Sequence, residues 1–383
     1  MPRVSLSWAL ILGLLSGIGP LCTDFYLPAL PEITQQLQAT STQTQLSLTA
    51  ALIGLGLGQL FFGPLSDRIG RLKPLALSLL LFIFSSAMCA LTRDINMLIV
   101  WRFLQGFAGA GGSVLSRSIA RDKYQGTLLT QFFALLMTVN GIAPVLSPVL
   151  GGYVITAFDW RILFWTMAAI GGVLLAILRE TRPATAAHAS RQRPGQPVLK
   201  NRRFLRFCLI QAFMMAGLFS YIGSSSFVMQ SEYGMSAMQF SLLFGLNGIG
   251  LIIAAMIFSR LARRFSAESL LRGGLTLAVS CAAIMLLFAW LQLPVLALVG
   301  LFFTVSLMSG ISTVAGAEAM SAVDAAQSGT ASALMGTLMF VFGGIAAPLA
   351  GLGGETMLKM SLAMAICYLL ALLLGLSKPR DAR

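Results

Sequence analysis

The chain has 383 residues, of which 57% are hydrophobic and only 10% charged, where a soluble domain carries about 25% charged residues. Its mean hydropathy of +0.84 means that most of it prefers hydrocarbon to water, and twelve helical spans of about 20 residues take up roughly 240 positions, leaving no room for a large soluble domain. The net charge of +13 does not indicate nucleic acid, because the basic residues are not gathered as on a binding face but lie in short loops between apolar runs, which is a membrane-topology pattern.

In chain order, the apolar runs predict twelve membrane helices with cores at 6–27, 44–64, 74–92, 95–116, 127–155, 161–178, 205–229, 237–259, 270–290, 295–315, 328–351 and 357–376. The first run is long for a signal-peptide core and no Ala-x-Ala site follows it, so it reads as a span. The fourth holds a single charge, Arg102. The long run 273–317 divides near Gln292-Leu293-Pro294. Cys22, Cys89, Cys208, Cys281 and Cys367 all lie in apolar segments without metal-ligand spacing. They read as packing residues in a protein with no disulfide, metal or resident cofactor.

One polar, basic, proline-containing stretch, 179–203, separates six helices from six and holds the only histidine, His188. It reads as a cytoplasmic linker that touches anionic lipid. The expected organisation is an all-α integral membrane protein with six-helix bundles at 1–178 and 204–383. With both termini in the cytoplasm, 22 of the 26 basic residues fall on that side. Only Arg93, Arg161 and Lys359 fall outside, and Arg102 lies within the membrane, so the charge bias fixes the orientation.

The halves repeat at an offset near 200. Ala143-Pro144-Val145-Leu146-Ser147-Pro148-Val149-Leu150-Gly151-Gly152 aligns with Ala347-Pro348-Leu349-Ala350-Gly351-Leu352-Gly353-Gly354, and the basic loop Arg68–Lys73 with Arg260–Arg264. Two parallel six-helix repeats around a central pathway form a transporter architecture. The membrane charge candidates, Asp24 and Arg102, both belong to the first half, which is where ion coupling is expected.

The loop after the second span reads Gly63-Pro64-Leu65-Ser66-Asp67-Arg68-Ile69-Gly70-Arg71-Leu72-Lys73-Pro74. Its glycines permit a tight turn, Asp67 sits among cations and is placed to face the positive end of a helix, and Arg68 and Arg71 hold the cytoplasmic side and can pair with acidic groups. The run resembles the G-x-L-S/A-D-R-x-G-R-K signature of the major facilitator superfamily. Leu98–Gly106, with Arg102, resembles that family's fourth-helix motif. Pro148–Gly152 resembles its antiporter motif G-P-x-x-G-G, with Ser147 in place of the leading glycine; Pro144, Pro148, Gly151 and Gly152 are the positions carried over. Thr23-Asp24-Phe25-Tyr26-Leu27-Pro28-Ala29-Leu30-Pro31, Asp159-Trp160-Arg161-Ile162-Leu163-Phe164 and Gly329–Gly336 look like the bicyclomycin/chloramphenicol-resistance (Bcr/CflA) branch of drug:proton antiporters. The resemblance implies a protein of the bacterial inner membrane that expels amphipathic small molecules in exchange for protons, and nothing in the sequence requires more than a monomer.

Two readings stand for each candidate. An ionised carboxylate near hydrocarbon is costly, which suits Asp24 as a group that takes up and releases protons; otherwise it is an interfacial residue capping the break at Pro28. Arg102, about 10 Å into the fourth helix at 1.5 Å per residue, either pairs with Asp24, directly or through water, or pins its helix to backbone carbonyls. Tyr26, Gln105, Asn140, Gln211, Met214, Leu218, Tyr221 and Asn247 are candidate pocket residues, with Ser225 on the same stripe of the seventh helix as Gln211–Tyr221. A drug cavity is mostly apolar with a few polar groups, but such groups also bond helices to one another. Glu318 and Asp324 are either gate partners or solvated. The rival functions are a proton-coupled importer of a sugar or nucleoside and, from another class, a membrane-integral enzyme. The latter would need a His, Cys or carboxylate cluster that the sequence does not offer.

Overall fold

The computed structural model describes residues 6–123, 126–181, 201–323 and 328–377; the side chains of 6–10, 67, 121, 123, 126–141, 179–181 and 328–330 lie outside that description. The side chains of Asp67 and Asn140, and the residues His188 and Asp324, therefore lie outside the described residues.

By contacts the chain forms two compact units, Met1–Arg191 with Ser236–Gly245, and Gln192–Met235 with Leu246–Arg383. The first contains α1 (Leu6–Asp24), a short α2 (Leu30–Gln36), α3 (Ser41–Ile69), α4 (Leu72–Leu91), α5 (Ile95–Lys123), α6 (Gly126–Ala157) and α7 (Arg161–Thr181). The second contains α8 (Arg202–Phe227), most of α9 (Ala237–Leu261), α10 (Ala267–Trp290), α11 (Pro294–Ser321), α12 (Ser328–Ala350) and α13 (Met357–Leu376). Among the described residues eleven helices are long and apolar enough to cross a bilayer, and α6 adds an apolar stretch over its described part, Ile142–Ala157. The fold is all-helical, and its long helices follow the twelve expected spans.

These helices are apolar on both sides. On α4, Leu75, Leu79, Phe82 and Cys89 are buried while Leu77, Leu80, Phe84 and Leu91 are exposed. A helix that is hydrophobic all round is stable at a protein surface only where that surface meets lipid. Several helix starts carry side-chain acceptors for free backbone N–H groups. Thr40 and Gln43 form a reciprocal capping box at α3, Asn201 accepts from Phe204 N at α8, and Ser266 accepts from Ser269 N at α10.

Within the first unit α3 and α5 pack backbone to backbone. A Cβ on Gly106 would overlap the carbonyl of Ala51, and one on Gly54 would overlap that of Phe103. This is how small residues bring membrane helices together in the absence of a hydrophobic drive.

Three details depart from the sequence expectation. The first span, placed at 6–27, ends as an α-helix at Asp24 and continues as a 3-10 turn, Leu27–Ala29, into α2. Pro28 and Pro31 each lack a backbone donor, so a single helix does not run through. The seventh span, placed to 229, ends in a π turn over Val228–Glu232. The internal repeat is also unequal. The α6 helix runs through Gly151 to Ala157, whereas α12 stops at Ala350 before Gly353 and Gly354, which take positive φ values of 73° and 102°. Lys359 then donates to the freed carbonyls of Leu352, Gly353 and Gly354 at 3.0, 2.8 and 3.0 Å.

Candidate functional site

Among the described residues, three polar clusters lie within the first unit. The deepest forms around the last turn of α1. Asp24, the final residue of that helix, is only 4% exposed, and its Oδ1 has no hydrogen-bond partner among the described residues. The chain can turn immediately after it because α6 offers no side chain there: a Cβ on Gly151 would overlap the Phe25 carbonyl oxygen. The two antiporter-motif glycines thus admit two close approaches, Gly151 to Phe25 and Gly152 to the Ser241 side chain.

Beside this turn lies Arg102, fully buried on α5. Its Nη2 donates to the Cys22 carbonyl at 2.5 Å, and its Nη1 donates to Gln105 Oε1, one turn along the same helix. The guanidinium carbon sits 4.1 Å from the Tyr26 ring centroid and 5.7 Å from that of Phe164. An aromatic face attracts such a cation more strongly once water is excluded. Gln105 is fixed in turn, donating from Nε2 to Ser86 Oγ at 2.8 Å and to Met167 Sδ at 3.2 Å. The Tyr26 hydroxyl meets Ser47 Oγ at 3.2 Å.

Arg102 is therefore held by dipoles and a π face. The ion pairs with both partners described include Arg71–Asp122, Arg161–Asp159, Arg203–Glu318, Arg206–Glu268 and Arg272–Glu268. The direct Asp24–Arg102 pair considered from the sequence is not among them. Arg102 instead makes the backbone contact of the alternative reading, and Asp24 keeps a buried carboxylate oxygen uncommitted.

The second cluster lies at the turn between α3 and α4. Arg71 donates from Nε to Asp122 Oδ2 at 2.9 Å and from Nη1 to Ser66 Oγ at 2.7 Å, and Ser66 in turn donates to the Gly63 carbonyl at 2.7 Å. Gly70 has φ of 88°, in the left-handed region that favours glycine. Arg68 is exposed. Sequence reading missed Asp122, which sits between two basic residues and looks like a solvated charge.

The third cluster joins α2 to the start of α7. Gln36 Oε1 accepts from Trp160 Nε1 at 2.9 Å and from Arg161 Nη1 at 3.0 Å, and its Nε2 donates to Glu32 Oε1 at 2.8 Å and Asp159 Oδ2 at 3.3 Å. Arg161 lies over the Trp160 ring at 4.3 Å. Trp160 packs edge-on against Phe164, whose ring lies 5.9 Å from Tyr26. Two stretches singled out from the sequence, Thr23–Pro31 and Asp159–Phe164, are thus one assembly. Gln36, at its hub, was missed because nothing in Gln35-Gln36 sets it apart.

In the second unit, Gln211, Met214, Leu218, Tyr221 and Ser225 are all buried on α8. Asn247 Nδ2 donates to Tyr221 OH at 2.9 Å, and Gln211 Nε2 donates to the Ser312 carbonyl at 3.2 Å. The amide oxygens of Gln211 and Asn247 have no hydrogen-bond partner among the described residues. Glu318 accepts from Arg203 at 2.8 Å.

A helical membrane unit with a buried arginine, a buried carboxylate and this glycine-rich basic turn has the parts of a secondary transporter. A sequence profile of the Major Facilitator Superfamily matches residues 12–348, and the chain belongs to that family. It is a multi-pass membrane transporter and not an enzyme. Among its relatives, the uncharacterized MFS-type transporter YdgK of Bacillus subtilis is 36% identical, covering 98% of this chain and 96% of that protein. The bicyclomycin resistance protein homolog of Haemophilus influenzae is 30% identical over 95% and 94%. The multidrug resistance protein MdtL of Escherichia coli is 32% identical over 72% of each chain. A bacterial homolog of the human lysosomal transporter Spinster, in an inward-facing and occupied conformation, shares the fold with a TM-score of 0.76 at 14% identity, covering 96% of this chain and 95% of that one. The D-xylose–proton symporter does so with a TM-score of 0.74 at 14%, covering 96% and 97%.

Proposed function

We propose that this transporter is a proton-coupled exporter of amphipathic small molecules of the Bcr/CflA type, with Asp24 as the proton-binding group. The observation that carries the reading is Asp24 itself, a buried carboxylate with an uncommitted oxygen at the end of α1. It is followed directly by the turn that α6 meets at Gly151. The drug-resistance names of two relatives support the direction of transport. The likeness to the xylose symporter, at 14% identity, concerns the fold alone.

In this reading the protein works by alternating access as a monomer in a bacterial inner membrane, with both termini in the cytoplasm. The proton gradient is its energy source and it has no resident cofactor. Asp24 takes up a proton from outside, which removes a buried charge and favours the inward state. Substrate arriving from the cytoplasm or inner leaflet favours release of that proton. Each ligand shifts the balance only through its different affinity for the two states. Arg102 keeps α1, α5 and Gln105 in register through its contacts to the Cys22 carbonyl and Gln105 while Asp24 takes up and releases the proton. Asp67, Arg68 and Arg71, the last paired with Asp122, stabilise closure on the cytoplasmic side. Tyr26, Gln105 and Asn140 in the first unit, and Gln211, Met214, Leu218, Tyr221 and Asn247 in the second, are the residues proposed to contact substrate.

The test is reconstitution in liposomes holding a pH-sensitive dye under an imposed pH gradient. Drug-triggered proton movement by wild type, lost in Asp24→Asn, is the expected result. Equal proton movement in both removes Asp24 from the coupling. Uptake of a sugar or nucleoside with no response to drugs overturns export.

A further inference from the structure

The second unit carries an unassigned feature where α9 turns into α10. An apolar groove of about 430 Å³ runs between these helices, walled by Ile257, Leu261, Phe265 and Leu277 and reaching Leu307 of α11. Ile257 and Leu261 also line an adjoining recess of about 500 Å³ whose other lining residues are Arg260, Arg263 and Arg264. The groove and the arginine-lined recess therefore share Ile257 and Leu261 as walls.

The three arginines are exposed, and none forms an ion pair or a side-chain hydrogen bond among the described residues. The nearest acid in sequence, Glu268, is shared by Arg206 at 3.1 Å and Arg272 at 3.0 Å. Three exposed guanidinium groups at the C-terminal end of α9, beside apolar-lined space, have the charge that suits an anion. Guanidinium matches phosphate oxygens in a two-pronged geometry that ammonium lacks.

We propose that this groove and its arginines bind an anionic phospholipid, with the phosphate on Arg260, Arg263 and Arg264 and acyl chain between α9 and α10. In a bilayer, moving an acyl chain from lipid into an apolar groove gains little, because both surroundings are hydrocarbon. The groove therefore decides where the chains lie, and the arginines decide which headgroup is retained. Near a membrane surface each basic residue contributes about fivefold in affinity for anionic lipid, so the three together give a preference of roughly 100-fold.

The test uses the full chain in phosphatidylcholine nanodiscs containing a minor fraction of photoactivatable phosphatidylglycerol, with crosslinks located by mass spectrometry. Wild type is expected to label within 254–277 far more strongly than with photoactivatable phosphatidylcholine. The variant R260Q/R263Q/R264Q is expected to fall to the phosphatidylcholine level. The single substitutions, each expected to cost about fivefold, carry the test if the triple variant loses the wild-type melting point. Gly273 lies on the groove, and a Cβ added there would meet nothing within 4 Å, so Gly273→Phe is expected to fill the space and abolish acyl-chain crosslinks there. Undiminished labelling in the arginine variants or in Gly273→Phe overturns the proposal. So does loss of wild-type labelling in inorganic phosphate beyond that in chloride of equal ionic strength, which identifies a free-phosphate site.

Discussion

Asp24 and Arg102 are both buried charges, yet their surroundings assign them opposite energetic roles. Arg102 spends Nη2 on the Cys22 carbonyl, Nη1 on Gln105 and its face on Tyr26, and only its Nε is left without a partner among the described residues. Removing a partner leaves groups unsatisfied where water cannot compensate. Gln105→Leu strips Arg102 of one acceptor and Ser86 of its donor, and is expected to cost about 1.5–3 kcal/mol, the worth of a hydrogen bond to a charged group. The check is a lower melting temperature in detergent. At Asp24 the carboxylate oxygen Oδ1 has no hydrogen bond to lose. Asp24→Asn therefore keeps or raises the melting temperature while abolishing proton-driven transport, a separation expected where a site trades stability for activity. A melting temperature several degrees below wild type marks Asp24 as structural and sinks the assignment. The presence of these residues at their depth was legible from hydropathy and the lone charge in 95–116. Their partners were not, because a backbone carbonyl and an aromatic face leave no charge pattern in the sequence.

At the scale of elements, contact distance between helices is set by glycines, and the glycines are not equivalent. Gly106 on α5 faces the Ala51 backbone, whereas a Cβ on Gly172 of α7 meets nothing within 4 Å. Gly106→Ala must separate α3 from α5, and overpacking of this kind costs about 1–3 kcal/mol or more. Gly172→Ala is expected to be neutral or to stabilise by up to about 1 kcal/mol through helix propensity. Yield of monodisperse protein and melting temperature compare the two variants, and equal behaviour contradicts the packing account. The Gln36 hub ties α2 to the start of α7 through three side chains, Asp159, Trp160 and Arg161. Gln36→Ala leaves the fully buried Trp160 without its indole acceptor, so a loss of about 1–3 kcal/mol is expected, visible as a lower melting point and a shift in tryptophan fluorescence. The resistance-type stretches around Asp24 and Trp160 were legible as motifs. Their joining through Gln36 was not, because a glutamine more than 120 positions from its partners has no local signature.

At the scale of the whole molecule, the spans were legible because the bilayer imposes one length and one polarity on every element. The break at Gln292–Pro294 likewise falls between α10 and α11, where Gln292 takes a positive φ of 56°. The end of α1 was misplaced by three residues because mean hydropathy is insensitive to Pro28 and Pro31, whose effect is on backbone donors. Orientation depends on a different quantity, the placement of lysine and arginine, with 22 of 26 on the proposed cytoplasmic side. It is tested in a variant whose five native cysteines are replaced and one new cysteine introduced at a time. With a membrane-impermeant maleimide on intact cells, Arg93→Cys and Lys359→Cys are expected to label at once, and Arg68→Cys and Arg264→Cys only after permeabilisation. The reverse pattern overturns the orientation, and with it the side from which Asp24 takes its proton. Agreement at Arg93 but not at Lys359 would mean that the second unit is inserted the other way round. That arrangement would place the arginines at 260–264 outside, against a bias that the linker's basic residues alone should enforce.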